Sequence, residues 1–397
     1  LDVQNSAQID PPQPLAANLR QHWLLKEDVA FLNHGSFGAC PIPVLNEQQK
    51  WRANIEAQPI EILGRRCEFD LKLERAVLGM HLRMSDRDFG FVTNATEGVN
   101  AVLQSLKFKP GDELLTTNHV YNAVRKAMGH VAARSGASYR EISIPFPLQS
   151  SDQIAGAVIG SLTDKTRLLL IDHVTSPTAL IFPVQKISTA ARKRGIDVII
   201  DGAHAPGMLP LDVPGQNAPF YAGNLHKWIC APKGSGFLWV NRDRQPEIHP
   251  LIISHHYLAG FDKEFGWQGT RDISGLLSIR TAIDFFADFG WDNVMRHNHE
   301  MATWAQQMLC HRWDTIPMTP LDGRLIGAMA TLRLPLRFQH IDEPAREILQ
   351  QRLYNEYKVE APLILWDGHA YVRVSCQIYN RPQDYQRLAD AIERITL

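Results

Sequence analysis

From about residue 89 the chain alternates short apolar runs with helix-like stretches, and this alternation restricts the fold more than any other feature. Runs such as RLLLID at 167–172 and DVIID at 197–201 are too short for ordinary helices and carry no polar face. They read as strands buried on both sides. Residues 113–116 and GFLWV at 236–240 belong to the same class. Between them, helical pattern runs from about Thr96 through 101–107, over 123–135 to a stop near Gly136, and over 184–194 to Gly195. Strands joined through helices in this order make an α/β fold, a mostly parallel sheet covered on both faces.

Beyond about residue 276 the pattern changes. Helices are expected over 276–289 and 291–313, with a break at Gly290. Strands follow at 328–334 and 370–374, and an amphipathic helix at 384–395. A chain of 397 residues exceeds one simple core. The division expected is an N-terminal leader and arm at 1–30, a large domain at 31–280 and a small α+β domain at 281–397.

Composition narrows the function. A net charge of −1 with no basic run argues against nucleic acid and anionic membrane as partners. No apolar stretch reaches the roughly 18 residues that span a bilayer. Cys40, Cys67, Cys230, Cys310 and Cys376 are scattered without a C-x-x-C pair, which points to free buried thiols rather than disulfides or a zinc site. The opening LDVQNSAQIDPPQPLAANL is polar, Gln- and Pro-rich and lacks an initiator Met. It reads as the remnant left by signal-peptide removal or as a trimmed start. A periplasmic location is therefore expected, with the cytoplasm as the alternative.

Ligands of open α/β sheets bind beyond the carboxyl ends of the strands. Asp201 stands at such an end, in DVIIDGAHAPG, where an unpaired buried carboxylate would be costly. Lys227 follows in NLHKW, ahead of the Gly-rich PKGSG, and the intervening length leaves room for one further strand. A lysine in a partly dry pocket can form a Schiff base, and a carboxylate can keep a pyridine nitrogen protonated. Together they suit pyridoxal phosphate. A surface lysine and a helix-capping aspartate would look the same in isolation. NATEGVN at 94–100 follows a strand-like run and opens a helix, which suits a phosphate cradle or a plain N-cap at Thr96. No G-x-G-x-x-G or Walker-type loop supports a nucleotide instead.

NATEGVN, the aromatic of NHVYNAV, DGAHAPG, GNLHKW, QGTRD and VRVSCQIYN occur in this order. The set resembles the class V aminotransferase family of fold type I pyridoxal-phosphate enzymes. LNHGSFGACP, VTSPTALIFPV and FYAGNLHKW resemble its isopenicillin N epimerase-like branch, which also includes enzymes that modify pyoverdine siderophores in the periplasm. The resemblance implies a mostly parallel seven-stranded sheet with a small C-terminal domain. It implies that Lys227 holds the cofactor and moves the α-proton, that Asp201 pairs with the ring nitrogen and that Tyr121 stacks on the ring. Ala95, Thr96, Asn224 and His226 are implied as phosphate ligands, and Ser176 and His204 as contacts to the phenolic oxygen. Thr270 would reach the neighbouring subunit's phosphate, implying a homodimer. Arg373 would clamp the substrate carboxylate, with Asn33, His34 and Gly35 nearby.

Alternatives stand beside these roles. Tyr121 also reads as a core aromatic, Arg373 as a structural ion-pair partner and His204 as a turn cap. Arg65 and Arg66 read either as contacts to an acidic substrate side chain or as a solvated helix face. His255 and His256 would point to opposite faces of a strand. The motifs leave transamination, epimerisation and elimination of a β or γ substituent all open. The branch favours aminotransferase chemistry on an amino-acid moiety of a siderophore or peptide, with epimerisation or C–S lysis as the alternatives. Transfer of sulfur to an enzyme thiol is disfavoured, because Cys376 in VRVSCQ reads as strand. A non-catalytic binding protein on the same fold is opposed by the intact Asp201, Lys227 and Arg373.

Overall fold

The computed structural model describes residues 10–396, so the first nine residues of the leader lie outside the described part. Among the described residues the strands are, in chain order, β1 (Ala30–Phe31), β2 (Phe89–Val92), β3 (Glu113–Thr117), β4 (Ser138–Ile142), β5 (Thr166–Asp172), β6 (Asp197–Gly202), β7 (Phe220–Asn224), β8 (Gly236–Val240), β9 (Met329–Arg333), β10 (Val359–Glu360), β11 (Leu363–Trp366) and β12 (His369–Ser375). Seven of them form the central sheet, in the order β2-β8-β7-β6-β5-β3-β4. Only β8 runs against its neighbours β2 and β7.

The apolar runs are buried on both sides as their composition requires. Leu168, Leu170 and Ile199 pack with Val99, Val102, Val124 and Met128 from the helices Ala95–Ser105 and Asn122–Ser135. Leu169, Ile171, Val198 and Ile200 face the opposite way, onto Ile154, Val158, Ile187 and Ala191 of the helices Ser151–Gly160 and Val184–Arg192. Alternate residues of one strand thus serve two cores. The room left between Asp201 and Lys227 is filled by β7. The unforeseen strand of the central sheet is β4, SYREI, whose residues are largely half-buried or exposed at the sheet edge. Backbone pairing to β3 and the ion pairs Arg140–Glu113 and Glu141–Arg125 hold it there, and an apolar pattern cannot report any of these.

The smaller sheet, β11-β12-β9, is antiparallel. It packs with the helices Trp291–Trp313, Glu343–Tyr357 and Pro382–Arg394. Gly290, at φ 78°, makes the expected break before the long helix. β1 pairs parallel with β10, which carries the N-terminal segment across to this sheet and delivers residues 33–38 to the sheet crevice. Within the central sheet β2, β5, β6 and β7 point the same way. Their carboxyl ends bring Asn94, Asp172, Asp201 and Asn224 to one cavity.

Candidate active site

Lys227 follows β7 in a turn held from several directions. His34 Nε2 lies 2.9 Å from the Lys227 carbonyl oxygen and donates to it, while Nδ1 lies 2.8 Å from the Tyr379 hydroxyl. Burial keeps this imidazole neutral, its pKa lowered to about 3. Two glycines press on the same backbone. A Cβ on Gly38 (φ 69°) would lie 2.1 Å from the His226 oxygen, and one on Gly207 (φ 81°) 2.6 Å from the Trp228 carbonyl carbon. Neither position tolerates a side chain, because backbone cannot yield as a flexible side chain does. The Lys227 amine sits 3.1 Å from His204 Nε2. Burial, and secondly the Arg373 charge, lower its pKa to about 7 against the opposing pull of Asp201 and Asp172. An uncharged amine is then available near neutrality.

Asp201 is buried, and its Oδ1 accepts from the Ala203 N–H at 2.9 Å. Asp172 is its register partner on β5, also buried, and its Oδ2 has no hydrogen-bond partner. Both lie above the ordinary carboxylate range, Asp201 through burial and Asp172 through burial and then the Asp201 charge. Two buried carboxyls on register-paired residues of adjacent strands cannot both ionise in a dry site without a cation. A pyridinium nitrogen is such a cation. Sequence reasoning found Asp201 and missed Asp172, although the same signal, an acid ending an apolar strand, stands at the end of RLLLID.

The phosphate end is built by the helix Ala95–Ser105. Its N-cap is Asn94 rather than Thr96, with Asn94 Oδ1 accepting from the Glu97 N–H at 3.0 Å. The Ala95 N–H donates to Asn224 Oδ1 at 2.7 Å, so it is committed to the protein. Thr96 is left as the residue of that first turn able to offer both hydroxyl and N–H to an anion. His226 lines the cavity with Nδ1 3.3 Å from the Ser235 oxygen, and burial lowers its pKa to about 4.

Arg373, on β12, is 4% exposed. Nη1 donates to the Ser176 carbonyl oxygen at 2.5 Å and to its Oγ at 3.1 Å, and Nη2 to Ser36 Oγ at 3.2 Å. Nε has no partner. No carboxylate pairs with this guanidinium among the described ion pairs, so the structural ion pair weighed as an alternative is absent there. Burial lowers its pKa to about 10, which leaves it charged at neutral pH. A buried cation held by hydroxyls and a carbonyl is a receptor for an anion.

The structure thus gathers Ala95, Thr96, Tyr121, Ser176, Asp201, His204, Asn224, His226 and Lys227 around one cavity of about 360 Å³, with Asp172, Ser36 and Phe37 added. Asn33, His34 and Arg373 do not line it, although Arg373 lies directly behind Ser36 and Ser176, to which it donates. Asn33 donates to Glu360 and accepts from Ser36, and His34 is spent on Lys227 and Tyr379. Ser36 and Phe37 line the cavity instead, because the turn 34–37 buries its first residues, His34 and Gly35, and presents its later ones to the open cavity. Thr270 is exposed and outside this cavity in the single chain. Arg65 and Arg66 pair with Glu61 and Asp70 one helical turn away. His255 and His256 lie in a turn rather than a strand, and both line a second cavity with Arg65 and Arg75. All five cysteines are free and buried.

These residues fit a pyridoxal-phosphate enzyme, and the comparisons agree. The family model Aminotransferase class-V matches residues 75–318, and the chain belongs to that family. An L-cysteine desulfhydrase of Arabidopsis thaliana is 32% identical, over 92% of this chain and 88% of its own. An isopenicillin N epimerase of Amycolatopsis lactamdurans is 31% identical, over 96% of this chain and 98% of its own. Among solved structures, the cystine C–S lyase C-DES in complex with its reaction product cysteine persulfide superimposes with a TM-score of 0.77 at 19% identity, covering 94% of this chain and 99% of that one. The cofactor of this chain is pyridoxal 5'-phosphate, and its fold is that of the fold type I enzymes.

Proposed function

We propose that the chain is a C–S lyase that eliminates sulfide from cysteine or a cysteine-like amino acid. Bound in the cavity, pyridoxal phosphate supplies an electron sink that acidifies the α-C–H of an amino acid. Asp201 holds the ring nitrogen protonated, and Thr96 and His226 meet the phosphate. Arg373 takes the substrate carboxylate in a two-pronged contact. Lys227, once free, removes the α-proton. The C–S bond then breaks, sulfide departs, and water releases pyruvate and ammonia, so that cysteine and water balance the three products.

The observation that carries release of free sulfide over sulfur transfer to an enzyme thiol is the burial of every cysteine in the chain. No thiol stands at the cavity to accept sulfur, so sulfur leaves as free sulfide. The similarity to an L-cysteine desulfhydrase supports this reading. The relatives described above are lyases and epimerases, so the transamination expected from sequence gives way. Epimerisation is the second reading, favoured by the near-complete overlap with an isopenicillin N epimerase and by Tyr121, whose phenol lines the same cavity as Lys227. The reading includes a homodimer in which Thr270 serves the neighbouring site.

The test is to incubate cofactor-loaded protein with L-cysteine and measure sulfide, pyruvate and ammonia together. Equal yields of the three are expected. Exchange of the α-proton for deuterium with sulfur fully retained would favour epimerisation, and accumulation of the pyridoxamine form with a 2-oxo acid would restore transamination.

A further inference from the structure

Among the described residues the Lys227 amine has one hydrogen-bond partner, His204, and His204 has a second partner of its own. The Trp228 indole Nε1 lies 3.4 Å from His204 Nδ1, while His204 Nε2 lies 3.1 Å from Lys227 Nζ. An indole N–H donates and cannot accept. Nδ1 of His204 must therefore be the acceptor, which places the proton of the neutral ring on Nε2. That proton points at Lys227 Nζ. An ammonium has three donors and no lone pair, so it would meet another donor there. An uncharged amine has a lone pair that accepts it.

We infer that Trp228 is a positioning residue: its indole fixes His204 in the Nε2–H tautomer, which holds the Lys227 amine in the uncharged form able to attack a carbonyl. The arrangement serves whenever Lys227 is free, before the cofactor is captured and after substrate displaces it. It is independent of whether elimination or epimerisation follows.

The geometry leaves little freedom. His204 is 1% exposed, and so is Trp228. The Trp228 ring stands 4.8 Å from the His34 ring, and Gly207 lies against the Trp228 backbone. The groups facing the amine come from every packed element: Asp172 from β5, Asp201 from β6, His204 from the loop after it, and Arg373 from β12. His226 and His34 act on His204 as further neighbours. Burial above all, with the Arg373 charge adding to it, holds His204 well below the ordinary imidazole range, so the ring is neutral and its tautomer is the variable that matters.

Two measurements test this. In the full chain labelled with ¹⁵N-histidine and freed of cofactor, the His204 signals, assigned with His204→Gln, should show a protonated Nε2 and a bare Nδ1. The reverse tautomer would overturn the inference without any change at Trp228. Second, the rate at which the chain captures added pyridoxal phosphate is followed by visible absorbance against pH. Trp228→Phe frees the tautomer, and one hydrogen bond of ordinary strength should move the midpoint up by about one pH unit. An unchanged midpoint in a folded variant would assign Trp228 to packing alone. Should the variant fail to fold, the nitrogen spectrum of the unaltered chain decides.

Discussion

Replacing Arg373 with methionine separates substrate binding from everything else the cavity does. The guanidinium is buried without a counter-charge, and the fall of its pKa to about 10 corresponds to roughly 3 kcal/mol against the charged form. Methionine removes that burden and fills similar volume. It also leaves the Ser176 carbonyl and hydroxyl and the Ser36 hydroxyl without their donor, at roughly 1 kcal/mol each. The two effects nearly cancel, so stability to denaturant should change by no more than about 1–2 kcal/mol and the cofactor should still bind. The substrate meets a different balance. A carboxylate that loses a buried two-pronged partner forfeits about 2–5 kcal/mol, or roughly 30- to 5,000-fold in kcat/KM. The assay compares an amino acid with its amide in both proteins. The acid should suffer the full loss in the variant and the amide far less. Equal losses for acid and amide, or a variant that unfolds, would refute the assignment of Arg373 as an anion receptor with no structural charge to balance.

Four further outcomes follow from the same geometry. Lys227→Ala should abolish turnover and the visible band of lysine-linked cofactor while leaving the chain folded, as absorbance and circular dichroism would register. Capture of pyridoxal phosphate by cofactor-free protein should rise as pH increases through about 7 and level off above, because only the uncharged Lys227 amine attacks; stopped-flow absorbance across pH reads it. Gly38→Ala should cost more than about 2 kcal/mol of stability and slow cofactor capture, since its Cβ would strike the backbone of residue 226; denaturant titration checks the first part. His34 refuses a proton in the fold down to about 3, while the unfolded chain accepts one near its ordinary 6.5, so stability should fall as pH drops across that window by up to roughly 1.4 kcal/mol per unit. His34→Gln should lessen that acid slope in pH-dependent denaturation, whereas an unaltered slope would contradict it.

Local pattern was enough to identify the sheet and much of the site. Buried strands such as β5, β6 and β8 announce themselves, because burial on both faces demands uninterrupted apolar side chains. Asp201 was legible for the same reason, as an acid at the end of such a run, and Lys227 for its place before a glycine-rich turn. The edge strand β4 was not, since its stability comes from pairing and two ion pairs, Arg140–Glu113 and Glu141–Arg125. Asp172 carried a readable signal that went unused.

Other features could not be read from the chain at any effort. That His34 braces the Lys227 carbonyl, that Ser36 rather than Asn33 reaches Arg373, and that Asn224 occupies the Ala95 N–H all join residues more than a hundred positions apart. Sequence determined the class of chemistry, because a cofactor pocket needs particular residue types at strand ends. Tertiary structure alone decided which hydrogen-bonding groups are already satisfied and which remain open to a ligand. That distinction depends on contacts made across the sheet crevice, and it separates the residues that brace this site from those that act in it.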